Sequence, residues 1–179
     1  MTTYSHPALE MTTHGLSDIL FEPARDILES LWESYRFEND LPDCDRPSTN
    51  MCVLTSLTLL KHLQQNGYSG WYVDGGSPET GSGFRPSDGE DLEWHVWITD
   101  GKIIVDLTAD QFSDHIPSVL ITVAGDRRYA TTVRSREELP ELLKLEPDGQ
   151  EAVDEWAIAI DECLAPPRVS LQEDFSPVA

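Results

Sequence analysis

The dipeptide Asp100-Gly101 stands between two runs of alternating apolar residues, 94–99 (Trp-His-Val-Trp-Ile-Thr) and 102–107 (Lys-Ile-Ile-Val-Asp-Leu). Asp-Gly in that setting is a strong signal for a two-residue type I′ hairpin. Counting outward from it pairs Thr99 with Lys102, Ile98 with Ile103, Trp97 with Ile104, Val96 with Val105 and His95 with Asp106. Directly opposed residues share a face, with Cβ atoms about 4.5–5.5 Å apart. An imidazole and a carboxylate at that spacing can hydrogen-bond, and the acid then orients the ring and stabilises its charged form. The turn alone therefore predicts a His95–Asp106 dyad. Trp97 falls on the face of His95 one step along, where it lines a cleft or packs the core. Trp94 faces the other way.

The remaining chain supplies helices for such a sheet. Residues 16–35 place Ile19, Leu20, Ala24, Ile27, Leu28, Leu31 and Tyr35 on one helical face. A second, very apolar helix over about 49–65 ends at Asn66-Gly67. Strands are expected at 70–74, 118–124 and 129–133, the last two joined by a turn at Gly125-Asp126. Helices are expected at 135–145, with Ser135 as cap and Glu138 closing a capping box, and at 148–164. Residues 75–90 read as a long Gly/Ser/Pro/acid loop, of a length that is usually functional or disordered. The order predicts an α+β fold, an antiparallel sheet with helices packed against it. It divides into a loosely ordered stretch over 1–15, one domain over 16–165 and a mobile tail over 166–179.

A His–Asp dyad needs a group to activate, and Cys52 is the best candidate. It lies in the first turn of the second helix, where unpaired N–H groups and the positive end of the helix dipole favour a thiolate. Those N–H groups can also stabilise an oxyanion. Cys44 lies between Asp43 and Asp45, which disfavour a thiolate, and Cys163 lies near a helix C-terminus; both read as structural. His6, His14, His62 and His115 have no comparable partner in the sequence and read as surface or loop residues. Three ligands of mixed type with no second histidine argue against a metal at Cys52, His95 and Asp106, and no cofactor is expected.

Charge narrows the partners. Thirty-three acidic residues against twelve basic ones give a net charge of −21. Such a surface repels nucleic-acid phosphates and anionic lipid and welcomes a basic partner or cationic substrate. The acidity is spread over the whole chain, whereas a nucleic-acid mimic would space it along one element. No stretch reaches the apolar length of a membrane span. The start of the chain lacks the basic and apolar regions of a secretory signal. Three cysteines with no C-x-x-C pair fit a reducing compartment. These features predict a cytoplasmic protein.

Asn50-Met51-Cys52, the leucine-rich helix ending at Asn66-Gly67-Tyr68, Trp94-His95-Val96-Trp97-Ile98 and Ile104-Val105-Asp106-Leu107-Thr108 together resemble the transglutaminase-like branch of the papain-like cysteine enzymes. The resemblance covers about residues 48–112. It implies a small bacterial or phage-type member, similar in layout to lasso-peptide leader proteases. The implied fold is an antiparallel sheet packed against a central N-terminal helix carrying the cysteine. It also implies Cys52 as nucleophile, His95 as general base and acid, and Asp106 as orienting residue. The family includes proteases, amidases, deamidases and acyl transferases, all acting through a thioester. Met51 departs from the small residue often found before the nucleophile. Asn50 and Gln111 are candidates for the oxyanion donor, and Gln111 can equally close the strand end through structural hydrogen bonds. A second reading is an acidic binding or inhibitor protein, a nucleic-acid mimic or a basic-partner binder of phage type, on a catalytically inert version of the fold.

Overall fold

In the computed structural model, which describes residues 17–87 and 91–165, strand His95–Thr99 is buried at all five positions. Because successive side chains point to opposite faces, such a strand needs cover on both sides. Val96 and Ile98 face a large core built with the helices, whereas Trp97 belongs to a second, smaller cluster with Phe84, Ile104, Ala109, Leu120 and Tyr129. The sheet is thus a septum between two cores.

The helices are α1 (Glu22–Glu38), α2 (Cys52–Gln65), α3 (Val133–Leu142) and α4 (Pro147–Leu164); a π-helical turn, Ser17–Phe21, leads into α1. Pro23 sits in the first turn of α1, where its missing N–H costs nothing. The strands are β1 (Tyr72–Gly76), β2 (Gly83–Phe84), β3 (His95–Thr99), β4 (Ile103–Asp106), β5 (Leu120–Val123) and β6 (Tyr129–Ala130). One antiparallel sheet runs β1-β3-β4-β5, and a two-stranded ribbon pairs β2 with β6. The molecule is α+β, with α2 against β3 and α4. Among the described residues no helix is long and apolar enough to cross a membrane. The expectations for residues 1–15 and 166–179 lie outside the described residues.

The hairpin register differs from the one counted out of the sequence. Ile98 pairs with Val105 and Thr99 with Ile104, a slip of two residues. By counting, Asp106 then stands opposite Trp97. A type I′ turn needs positive φ at both central residues, but only Gly101 has it (φ 84°). Asp100 instead uses its side chain, accepting from the N–H groups of Lys102 (2.8 Å) and Ile103 (2.9 Å), and Thr99 Oγ1 accepts from Gly101 N–H (3.0 Å). This Asx-type arrangement holds a wider loop. A slip of two preserves the faces of a period-two strand, so His95 and Asp106 remain on one side of the sheet as diagonal neighbours.

Four further expectations are corrected. The segment 75–90 is largely built, not a free loop: β1 continues through Gly76, a helical turn spans Pro78–Thr80, and β2 follows. Its glycines allow close approach, since a β-carbon on Gly75 (φ 139°) would lie 2.3 Å from the His95 carbonyl oxygen and one on Gly83 (φ 125°) 2.1 Å from that of Glu93. Strands β5 and β6 do not pair with each other; β6 leaves the main sheet for β2. Thr132, not Ser135, caps α3: the Thr132 side chain accepts from Ser135 N–H while the Ser135 hydroxyl accepts from Thr132 N–H. Finally, His62 is buried and bound to Asp161 of α4 (2.5 Å); its partner lies almost a hundred residues away, beyond the reach of any local pattern.

Candidate active site

Cys52 opens α2. The chain turns into it through Asn50, which adopts a left-handed conformation (φ 62°) that asparagine tolerates better than most residues. Met51 holds the N-cap position. The N–H groups of the first turn have no partner within a helix, and no side chain caps them. Met51 itself is buried in the helix-side core, so its bulk fills packing space and not a cleft.

His95, at the start of β3, has no exposed surface, and Cys52 and Asp106 are almost as deeply buried. The imidazole Nε2 lies 2.7 Å from Asp106 Oδ2. Asp106 is held at both oxygens. Oδ1 accepts from the Thr108 N–H (2.9 Å) and hydroxyl (3.1 Å), and Oδ2 accepts from the Tyr129 hydroxyl (2.9 Å) as well as the imidazole. The other imidazole nitrogen, Nδ1, faces the Gln111 amide at 3.3 Å, and the Cys52 thiol stands near enough to act on the charge of the ring. Phe84, Phe112 and Trp97 enclose the ring, with centroids 5.7, 5.1 and 6.1 Å away.

Burial alone would lower the proton affinity of His95. The charge and hydrogen bond of Asp106, helped by the nearby Cys52, overcome it and raise the pKa to about 10. Burial likewise pushes Asp106 up, and the imidazolium, Thr108 and Tyr129 pull it below the usual carboxylate value. Both shifts favour the charged imidazolium and carboxylate. Tyr129 is raised well above 10 by burial and the neighbouring Asp106 charge, so its hydroxyl remains a donor.

Gln111 joins both sides of the site. Its Oε1 accepts from Asn50 N–H (3.1 Å), and its Nε2 donates to Thr108 carbonyl (2.9 Å) and lies 3.3 Å from His95 Nδ1. The two backbone partners fix which end of the amide faces the imidazole. Gln111 thus closes the strand end and also stands beside the Cys52–His95 contact. Its segment is braced by Arg25, a buried guanidinium of α1. Arg25 grips Asp110 (2.8 and 3.0 Å) and the carbonyls of Leu107 and Ser118, and stacks on Trp32 with its carbon 4.6 Å from the ring centroid.

The structure thus brings Cys52, His95, Asp106 and Gln111 together. Asn50 enters through its backbone N–H, and its side chain is exposed. Trp97 is a core residue behind the imidazole. Tyr129, Phe84, Phe112 and Arg25 escape sequence reasoning because nothing local marks them. Thr108 is different: Asp-x-Thr is a local signal for a side chain bonding the backbone two residues on. Among the described residues, no group of three or more His, Cys, Asp or Glu could hold a metal ion. Compared with known proteins, the chain matches no family model, and no curated protein or solved structure is similar to it.

Proposed function

We propose that the protein is a thiol enzyme that transfers an acyl group from a peptide or protein amide through a Cys52–His95–Asp106 triad. The observation that carries this reading is a fully buried imidazole held by a carboxylate on Nε2, with a helix-start thiol nearby. With the proton already on His95, the Cys52 thiolate attacks the amide carbonyl. The resulting oxyanion accepts from the uncapped N–H groups of α2 and from the Gln111 amide. His95 then protonates the leaving amine, and the C–N bond breaks to leave a thioester on Cys52. Water or a second amine, deprotonated by His95, attacks the thioester and releases Cys52. Asp106 keeps the imidazole in the required orientation throughout. The sequence resemblance to the transglutaminase-like branch of the papain-like enzymes supports this reading, and the net charge of −21 favours a basic substrate.

Iodoacetamide at neutral pH, with adducts mapped by mass spectrometry, tests the thiol. Cys52 is expected to react faster than Cys44, and His95→Gln is expected to abolish that advantage. Equal rates at the two cysteines in the native protein would overturn the reading. The deep burial of Cys52 and His95 favours the alternative of an inert fold that binds a basic partner through its acidic surface. That alternative predicts salt-sensitive partner capture unchanged by Cys52→Ala.

A further inference from the structure

Asp106 Oδ2 carries two donors at once, the His95 imidazole at 2.7 Å and the Tyr129 hydroxyl at 2.9 Å. Tyr129 does not reach it from the main sheet. It comes from β6, placed by the ladder that pairs Phe84 with Tyr129. Its ring is wedged between Trp97 (centroids 4.7 Å apart, edge-on) and Phe84 (4.9 Å). Just before it, Asp126 accepts from the Arg128 side chain (2.6 Å), the Arg128 N–H (3.0 Å) and the Thr122 hydroxyl (2.8 Å), which fixes the turn leading into β6. A phenol this constrained, with its hydroxyl on the oxygen shared with the imidazole, does more than fill space.

We infer that Tyr129 is a positioning residue whose hydroxyl sets how firmly the His95–Asp106 pair holds its proton. Donation from Tyr129 spreads the carboxylate charge away from the imidazole. It stabilises the carboxylate most when His95 is neutral, because the imidazolium then no longer compensates that charge. Removing the hydroxyl therefore makes the pair keep its proton to higher pH. The ionisable groups facing the pair are Cys52 from α2 and Tyr129 from β6, with Arg128 and Asp126 beside the phenol. As a statement about catalysis, the inference rests on the acyl-transfer reading; as a statement about the pair, it stands apart from it.

The test is the titration of His95 by NMR in ¹⁵N-histidine-labelled full-length protein, for the native chain and for Tyr129→Phe. The variant keeps the ring packing, so its thermal midpoint should stay within a few degrees of the native one. Its His95 proton affinity should rise about threefold to tenfold, up to one pKa unit. Replacing the tyrosines with 3-fluorotyrosine strengthens the phenol as a donor and should move His95 the other way. It also serves if Tyr129→Phe does not fold. A His95 titration unmoved by either change overturns the inference. Iodoacetamide labelling of Cys52 on the same samples separates the two claims. A moved titration with an unreactive Cys52 keeps Tyr129's role and sinks the acyl-transfer reading, whereas a reactive Cys52 with an unmoved titration does the reverse.

Discussion

Among the described residues two His–Asp pairs stand out, and they are built differently. His95–Asp106 joins two strands of one sheet, with both side chains buried and every carboxylate oxygen supplied with donors. His62–Asp161 clips α2 to α4, and its carboxylate is 36% exposed and shared with Asn66 Nδ2 (2.8 Å). At His95 the second nitrogen faces a carboxamide and a thiol acts on the charge of the ring; at His62 no sulfur is near among the described residues. Pairing alone does not make a site. What distinguishes the first pair is removal from water, which strengthens its electrostatics and makes an unmet group costly, together with a reactive atom beside it.

The largest expected effect is on stability. Asp106→Ala leaves the imidazole, the Tyr129 hydroxyl and the Thr108 donors unmet inside the protein and should cost about 3–5 kcal/mol. Asp161→Ala removes a carboxylate that water partly screens and should cost about 1 kcal/mol or less. Urea unfolding midpoints measure both, and equal losses would erase the distinction between the pairs.

Arg25→Met comes next. It abandons Asp110 and two carbonyls around the segment carrying Gln111 and should cost about 3 kcal/mol. Cys52 alkylation should slow along with it, while the His62–Asp161 clip stays intact. A variant that loses stability but alkylates at the native rate would show that the brace does not reach the site.

Smaller in effect is the pH dependence. A histidine whose folded pKa lies above its unfolded value contributes stability that is fully present below about pH 6.5 and lost as the pH rises to about 10. For His95 the loss should appear as an unfolding midpoint that falls across that window. Asp106, held below its ordinary value, acts in the opposite direction: its contribution is present above about pH 4 and lost on further acidification. Asp106→Asn should flatten the alkaline slope and His62→Gln should not, as thermal melts between pH 6 and 10 would show.

The smallest effect belongs to Gln111→Ala, which should change stability by no more than about 1 kcal/mol. Its amide donor faces His95 Nδ1 and favours the neutral ring. Its loss should therefore raise the pH at which His95 releases its proton, visible in the same NMR titration. A downward shift would contradict the placement of that amide.

Parts of this arrangement are legible locally. Cys52 at a helix start follows from the apolar run ending at Asn66-Gly67, and the α+β class follows from the order of helical and alternating segments. The Asp100-Gly101 signal found the hairpin but misjudged its loop, because Asp100 satisfies two backbone N–H groups with its side chain and does not take the left-handed turn. The segment 75–90 looked unstructured because its β2 strand is two residues long and is stabilised by a partner more than forty residues away.

The amino-acid sequence by itself determined that His95 and Asp106 share a face of the sheet. Side chains alternate with period two, and that relation survives a two-residue slip in register. It also placed a cysteine in the first turn of the apolar helix, which the structure starts at Cys52 and not at Thr49. Only the tertiary structure decided that Tyr129 holds the shared carboxylate oxygen, that Phe84 roofs the imidazole, that Arg25 braces the Gln111 segment and that His62 pairs with Asp161. Those contacts join residues 11 to 99 positions apart. Periodicity and turn chemistry act over a few residues, whereas these partners are chosen by which surfaces the two cores press together.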